Sequence, residues 1–370
     1  MAQIGSGAEK SVFRINKWLG LNESPDGDTG LKTGEAALMR NFRITREQHL
    51  QIRPGYAPVC TLAEADEGGA QHPVRGMWYG YVAGALHLLC ACNGHLWEVT
   101  PGAWTRTNLG TIADAQTSFF GFSRKVYILT GTEYYCWSGT GNVQVVEGYI
   151  PTASQPMGGG TLLESVNKLS GKRKQLFSPD GTATEFYLVE TAIDELISVE
   201  GTNISYTTDL VNGKLTFASA PPKGVNTITI TWRKGNGDRS KVAGMRFAEL
   251  YNGASDSRVF LYGDGTNEAV YSGLDSQGQP SAEYFPDLNV IAVDSANTPI
   301  TAMIRHYDRM LVFKTDSAHA VGYDTLTLAD DSVTAAFYAS PLNREIGCAA
   351  PGQARLVKNN PRTLFGSACY

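Results

Sequence analysis

The run HLLCACNGH sets His87, Cys90, Cys92 and His95 within nine residues, the ligand types a tetrahedral zinc site uses. Their spacing argues against such a site. On a strand His87 points away from the face shared by Cys90 and Cys92, because side chains alternate, and Asn93-Gly94 is a two-residue hairpin signal that puts His95 on the returning strand. The four groups therefore read as buried thiols and strand histidines, with no metal. The six cysteines, at 60, 90, 92, 136, 348 and 369, follow no framework spacing, and no secretion signal accompanies them, so reduced thiols are expected.

Other candidate chemistry is weaker. Glycoside hydrolysis needs two carboxyl groups flanking a scissile bond, but Asp264, Glu268 and Asp275 fall where turns need acceptors for backbone N–H groups. In PDGDTG, Asp26 and Asp28 suggest calcium, yet an EF-hand register would put Leu31 where glycine is required. His306 has no indicated partner for base catalysis. The chain has no phosphate-cradling glycine loop with lysine, no nucleophile elbow and no HExxH helix. No catalytic residue, metal or cofactor is expected. Trp78, Tyr79, Trp97, Trp104 and Trp137 offer sugar-stacking surfaces, but most lie in apolar strand patterns that read as core.

A different signal comes from Arg40, Arg43, Arg46 and Arg53, gathered within LKTGEAALMRNFRITREQHLQIRPGY of a chain with net charge -5. Thr33 is placed to cap a short helix over GEAALMR, with Glu35 at its positive end and Asn41 closing it. FRI and LQI then read as a hairpin. A five-residue loop, Thr45 to His49, sets Ile44 opposite Leu50 and Phe42 opposite Ile52, and leaves Arg43 and Gln51 on the other face. Pro54 and Gly55 make the next turn. The arginines are either a solvated face or a docking arm for another chain.

These groups must sit on strands. With 370 residues, 42% of them hydrophobic, the chain can bury a substantial core, and 40 glycines and 17 tyrosines among short apolar runs point to all-β structure. An acidic balance with only 18% charged residues argues against binding by phosphate neutralisation. The N-terminus has no apolar core of signal-peptide length, and no run approaches the ~20 apolar residues of a membrane span. Synthesis in a cytoplasm is expected.

The organising feature is a repeat. ALHLLC at 85, KVYILT at 125, RVFLYG at 258, RMLVFK at 309 and RTLFGS at 362 each read as a buried strand, and HLWEV, EYYCW, EAVYS and SAHAVGY follow the first four across a turn. The period falls near that of propeller blades, without WD or kelch signatures. Small sheets unable to bury both faces would pack around an axis, giving β-propeller-like blades; a generic β-sandwich is the alternative. Between the second and third units, QPMGGGT (155–161) and RKGNGDR (233–239) read as flexible linkers around an inserted β-sandwich, in which Ile228, Ile230 and Trp232 alternate with Thr227, Thr229 and Thr231. The expected division is an N-terminal arm with a short helix and hairpin at 1–60, first blades at 61–155, the sandwich at 162–233, and further blades at 240–370. The last blade is incomplete at Tyr370, to be finished by a longer natural chain or by another subunit.

The order GLNE, LKTGEAALMRNFRI, LQIRPGY, VRGMWYG, LHLLCACNGHLWEV, ITAMIRHYDRMLVFKTDSAHAVGY and REIGCAAPGQARLVKNNPRTLF resembles the tail nozzle, or tail tubular, proteins of short-tailed bacteriophages and the related packaged-DNA stabilisation proteins. The segment from FSPDGTATEFYL to NTITITW is similar to a β-sandwich module of phage tail appendages. The resemblance implies a virion structural protein of the tail or neck. It would form a homo-oligomeric ring, usually a hexamer, below the portal and adaptor. Tail fibres or other tail proteins would be further partners, and genomic DNA would pass through the lumen without sequence-specific binding. In that setting Arg40, Arg43, Arg46 and Arg53 would face acidic surface on a neighbouring subunit or the adaptor. A carbohydrate- or receptor-binding propeller is the competing expectation.

Overall fold

The computed structural model describes residues 14–23, 30–62, 72–154, 164–251, 257–327 and 333–355. The chain divides into two compact units, Met1–Val59 and Cys60–Tyr370.

In the first unit, β1 (Gly20–Leu21) pairs in parallel with β2 (Glu35–Ala36), and β3 (Phe42–Ile44) pairs antiparallel with β4 (Leu50–Ile52). The hairpin has the register read from its sequence, with Phe42 opposite Ile52, Arg43 opposite Gln51 and Ile44 opposite Leu50. The helix over GEAALMR is not formed, and the cause is local. Gly34 has φ +98°, outside the helical region, and a Cβ there would lie 2.3 Å from the Lys17 carbonyl. The Glu35 carboxylate accepts from Asn22 Nδ2 and from the Lys32 backbone N–H, each at 2.9 Å, clasping two strands instead of starting a helix. These bonds, led by the one from Asn22, hold its pKa below the usual carboxyl range. Leu38 is exposed, so a helix there would also have no buried face to stabilise it.

Among the described residues the second unit is all-β apart from one five-residue helix. Its first sheet joins β5 (Val74–Val82), β6 (Ala85–Cys92), β7 (His95–Thr100) and β8 (Thr105–Thr111) in sequential antiparallel order. β6 and β7 are linked by Asn93 and Gly94, both at positive φ, the two-residue turn whose twist suits a hairpin. β9 (Ser118–Phe122), β10 (Lys125–Leu129), β11 (Tyr134–Trp137) and β12 (Gln144–Val145) form a second meander of the same order.

Next come β13 (Thr152–Ser154), β14 (Lys172–Phe177), β15 (Glu185–Tyr187), β16 (Glu195–Glu200), β17 (Tyr206–Asp209), β18 (Lys214–Phe217) and β19 (Ile228–Arg233). They make two sheets, ordered β13-β14-β19-β16 and β15-β18-β17, which share one core containing Phe177, Phe186, Leu215, Phe217, Ile228, Ile230 and Trp232. The inward set Ile228, Ile230 and Trp232 is the one that alternation marks, although Thr231 is buried too.

The insert's boundaries differ from the expectation. β13 precedes residue 155 yet pairs in parallel with β14. RKGNGDR is not a free linker. Arg233 reaches Asp194 and Glu195, and Gly235 N–H donates to Asp194 at 2.7 Å. Lys234 N–H donates to the Gly171 carbonyl, where a Cβ on Gly171 would meet the Gly235 oxygen at 2.2 Å. Arg239 gives hydrogen bonds to Glu133, to the Val146 carbonyl and to the Leu169 carbonyl. One guanidinium thus fastens the second meander to both ends of the insert. QPMGGGT (155–161) lies outside the described residues.

After the helix α1 (Arg239–Ala243), a third meander runs through β20 (Phe247–Tyr251), β21 (Arg258–Tyr262), β22 (Glu268–Tyr271) and β23 (Val290–Ala292). A fourth runs through β24 (Ile300–His306), β25 (Arg309–Lys314), β26 (Ala318–Thr327) and β27 (Val333–Asn343). The repeated runs at 85, 125, 258 and 309 are therefore the second strand of four separate meanders; RTLFGS lies outside the described residues.

The meanders pack face to face in series. Leu89, Leu96, Val126, Ile128 and Trp137 join the first to the second; Tyr127, Leu129, Tyr134, Val259, Leu261 and Val270 join the second to the third; Tyr251, Phe260, Met303, Met310 and Val312 join the third to the fourth. At each step the leading strands adjoin: β5 touches β9, β9 touches β20, and β20 touches β24.

Glu249, on β20, accepts the backbone N–H of Arg305 on β24 at 3.0 Å. Burial pushes its carboxyl pKa up, and the Arg305 hydrogen bond and the Arg355 and Arg305 charges offset this only in part. A raised folded pKa means that the stability this group contributes is complete below the unfolded carboxyl value and is lost as pH rises through the folded one. Glu249→Gln, which keeps the acceptor without the charge, is therefore expected to gain in Tm over wild type between pH 4 and pH 7. A constant difference across that range would contradict this.

Candidate interface

The hairpin loop closes through Thr45: its N–H donates to the His49 carbonyl at 2.9 Å, and its carbonyl accepts Gln48 N–H at 3.0 Å. Gln48 takes positive φ to make the turn. This fixes the strands that carry the arginines. Arg43 donates through Nε and Nη2 to Gln51 Oε1 at 3.1 and 2.9 Å, so a neutral amide aims the guanidinium and leaves its charge in place. Arg53 lies over the Tyr56 ring at 5.6 Å, and its N–H donates to the Asn41 carbonyl. Arg40, Arg43, Arg46 and Arg53 are all exposed.

Sequence alone did not indicate how open the other face is. Phe42 is 45% and Ile52 69% exposed, and Leu38 is exposed as well. Two short strands cannot bury an apolar face by themselves. The arm thus combines exposed cations, two of them held by Gln51 and the Tyr56 ring, with uncovered apolar side chains. The first 59 residues hold eight Lys or Arg against six Asp or Glu, while the remainder holds 23 against 30. The arm is the basic part of an acidic chain.

The sites considered for other chemistry have structural occupations. Asp264 accepts from the Thr266 N–H and hydroxyl, and Lys241 Nζ reaches Asp264 at 3.0 Å and Glu268 at 2.8 Å. Asp275 accepts the backbone N–H groups of Gln277 and Gln279. His306 packs edge-on to Tyr307. His87 Nδ1 lies 2.6 Å from Glu98 on one face of β6, while Cys90 and Cys92 join a cluster with Trp97 and Val99 on the other. Among the aromatic candidates Trp97 and Trp137 are buried and Trp78 packs between the first two meanders, whereas Tyr79 and Trp104 are exposed. Asp26 and Asp28 lie outside the described residues.

No family model matches the chain, and no curated protein matches it. Among solved structures, an extracellular domain assigned to the one component system BT4673 of B. thetaiotaomicron is 8% identical, with a TM-score of 0.18, over 75% of this chain and 31% of that one. A similarity at that score supports no statement about architecture or activity. Among the described residues no helix is long and apolar enough to cross a membrane.

Proposed function

We propose that the chain is a structural subunit of a tailed-bacteriophage virion. In this reading it belongs to the tail nozzle, a homo-oligomeric ring, six-membered in the proteins it resembles, that lies below the portal and adaptor and retains and then releases the genome. The four meanders are blades of a β-propeller, and the insert is a β-sandwich appended between the second and third. The observation that carries the propeller is the series β5, β9, β20 and β24: leading strands adjoin one another while the sheets stack face to face, as blades do around an axis. The viral assignment rests on the ordered motifs, from GLNE to REIGCAAPGQARLVKNNPRTLF, that resemble nozzle proteins.

Two further features fit this role. Carboxylates that could look catalytic are engaged in turns and ion pairs, as expected of a scaffold. The acidic balance of the second unit suits a conduit past which DNA phosphates slide without being held. The arm supplies register, because charge complementarity steers docking and selects partners more than it adds affinity.

The purified chain is expected to form rings by electron microscopy, and particles are expected to contain it at the neck or tail. Glycan binding without ring formation would instead favour a carbohydrate-recognising propeller, with the exposed Tyr79 and Trp104 as stacking surfaces. Arg43→Glu combined with Arg46→Glu is expected to cut incorporation into particles at least tenfold at unchanged Tm. Wild-type incorporation of that variant would remove the arm from the assembly contact.

A further inference from the structure

Two polar side chains lie buried at the seam between the third and fourth meanders. On β25 Lys314 is fully buried, and its Nζ donates to the Val293 and Ala296 carbonyls, at 3.2 and 2.6 Å, in the loop that leaves β23. On β26 His319 is only 2% exposed. It stands opposite Val312, a member of the core shared with the third meander. Lys314 is two residues from Val312, so His319 and Lys314 occupy the same face as diagonal neighbours. His319 Nε2 lies 3.2 Å from Ser317 Oγ, and that hydroxyl donates to Asp316 at 3.4 Å.

The seam is closed from both sides here. Val293 N–H donates to the Asn267 carbonyl and Ile300 N–H to the Thr266 carbonyl, which bonds the loop and the start of β24 to a turn of the third meander. On the other side Cys348 N–H donates to the Lys314 carbonyl. A Cβ on Gly347 would meet that oxygen at 2.2 Å and the Asp316 and Ser317 nitrogens at 2.6 Å, so the chain after β27 lies tight against the β25–β26 turn. The charged groups facing His319 are Asp294 from the loop, Lys314 from β25, Asp316 from the turn and Arg344 from the residue after β27. Of these four only Lys314 is buried; both carboxylates are exposed, where water screens their attraction.

We propose that His319 is an acid-operated release: a proton taken up by its ring sets a second cation beside Lys314, with no buried counter-ion among the described residues, and the loop at 293–296 parts from the fourth meander. This goes beyond the tail assignment and does not depend on it. The Ser317 bond does not oppose the step, since a hydroxyl accepts as readily as it donates; the cost lies in the added buried charge. Burial holds the ring's pKa below the ordinary histidine value, with Asp294 offsetting this in part and Lys314 and Arg344 adding to it. A lowered folded pKa means that the stability contributed by the neutral ring is complete above the unfolded value of about 6.5 and is lost as pH falls from there toward the folded one.

The test follows histidine C2-hydrogen exchange in the full chain against pH. The tryptic peptide 315–344 holds His319 as its sole histidine, so its titration is read separately. The folded midpoint is expected to lie below that of the same peptide in urea. Backbone exchange, corrected for its intrinsic pH dependence, is expected to quicken about tenfold at Val293, Ile300, Lys314 and Cys348 between pH 7.5 and pH 5, while the first meander keeps its protection. His319→Gln, which offers Ser317 a polar partner that does not titrate, is expected to hold those four amides at one corrected rate. Where that variant does not fold, the two wild-type measurements decide. A folded midpoint at or above the urea value, protection of the four amides that ignores pH, or the same loss of protection in His319→Gln would each overturn the proposal.

Discussion

Phe260→Ala is expected to destabilise the second unit by about 4 kcal/mol, within the range for removing a buried phenylalanine. Phe260 is fully buried on β21 and faces the fourth meander. Its ring stacks on Tyr271 at 5.3 Å and meets Phe337 edge-on at 5.0 Å, with Tyr251 at 6.0 Å. Truncation leaves a cavity whose walls are rigid rings from both sheets, so collapse recovers little of the lost contact. Urea denaturation followed by tyrosine and tryptophan fluorescence measures the effect. A loss below about 1 kcal/mol would mean that the third and fourth meanders do not depend on this seam.

Gly76→Val is expected to cost about 3 kcal/mol by a different route, overpacking at a contact between main chains. A Cβ at Gly76 would sit 2.2 Å from the Thr117 carbonyl oxygen and 3.1 Å from the Phe119 ring. Thr117 N–H donates to the Arg75 carbonyl at 3.0 Å, so the chain entering β9 is bonded to β5 at this point. Neither backbone can retreat without breaking that bond. Hydrogen exchange should show faster exchange at Thr117 and along β9, with the third and fourth meanders unaffected. Gly55→Ala serves as the control, since nothing lies within 4 Å of a Cβ there, and it should stay within about 0.5 kcal/mol of wild type. Equal stability of the two variants would contradict the close approach of β5 and β9.

The parts of the fold legible in the sequence are those where burial is two-sided. β6, β10, β21 and β25 lie inside their sheets and are largely covered on both faces, so ALHLLC, KVYILT, RVFLYG and RMLVFK stand out as apolar runs. Their leading neighbours do not stand out in the same way. β5 buries one side and exposes Met77, Tyr79 and Tyr81 on the other, and so reads as mixed composition. β12 and β23 are too short to show a period. The arm hairpin was legible because loop length and alternation together admit one pairing. The adjacent helix was misread because helix-favouring residues such as Ala36, Ala37 and Leu38 carry no record of the positive φ at Gly34. The insert's edge was misplaced for a related reason: three residues before a glycine-rich run give no sign that β13 pairs beyond it. Among the interface residues, the arginines were visible by type, while the exposure of Phe42 and Ile52 depends on what the rest of the unit fails to cover.

The clasp at Arg239 bears on how such a chain could be rebuilt. Because the Arg239 side chain, at the start of α1, reaches Glu133 and the Val146 carbonyl of the second meander and the Leu169 carbonyl ahead of β14, the appended module is mounted as a bracket is, with two adjacent bolts. A transplanted cassette would keep its orientation only if it brought a cation to the Glu133 position and left the Leu169 carbonyl within reach. One that merely matched the gap in length would hang loose from the meanders.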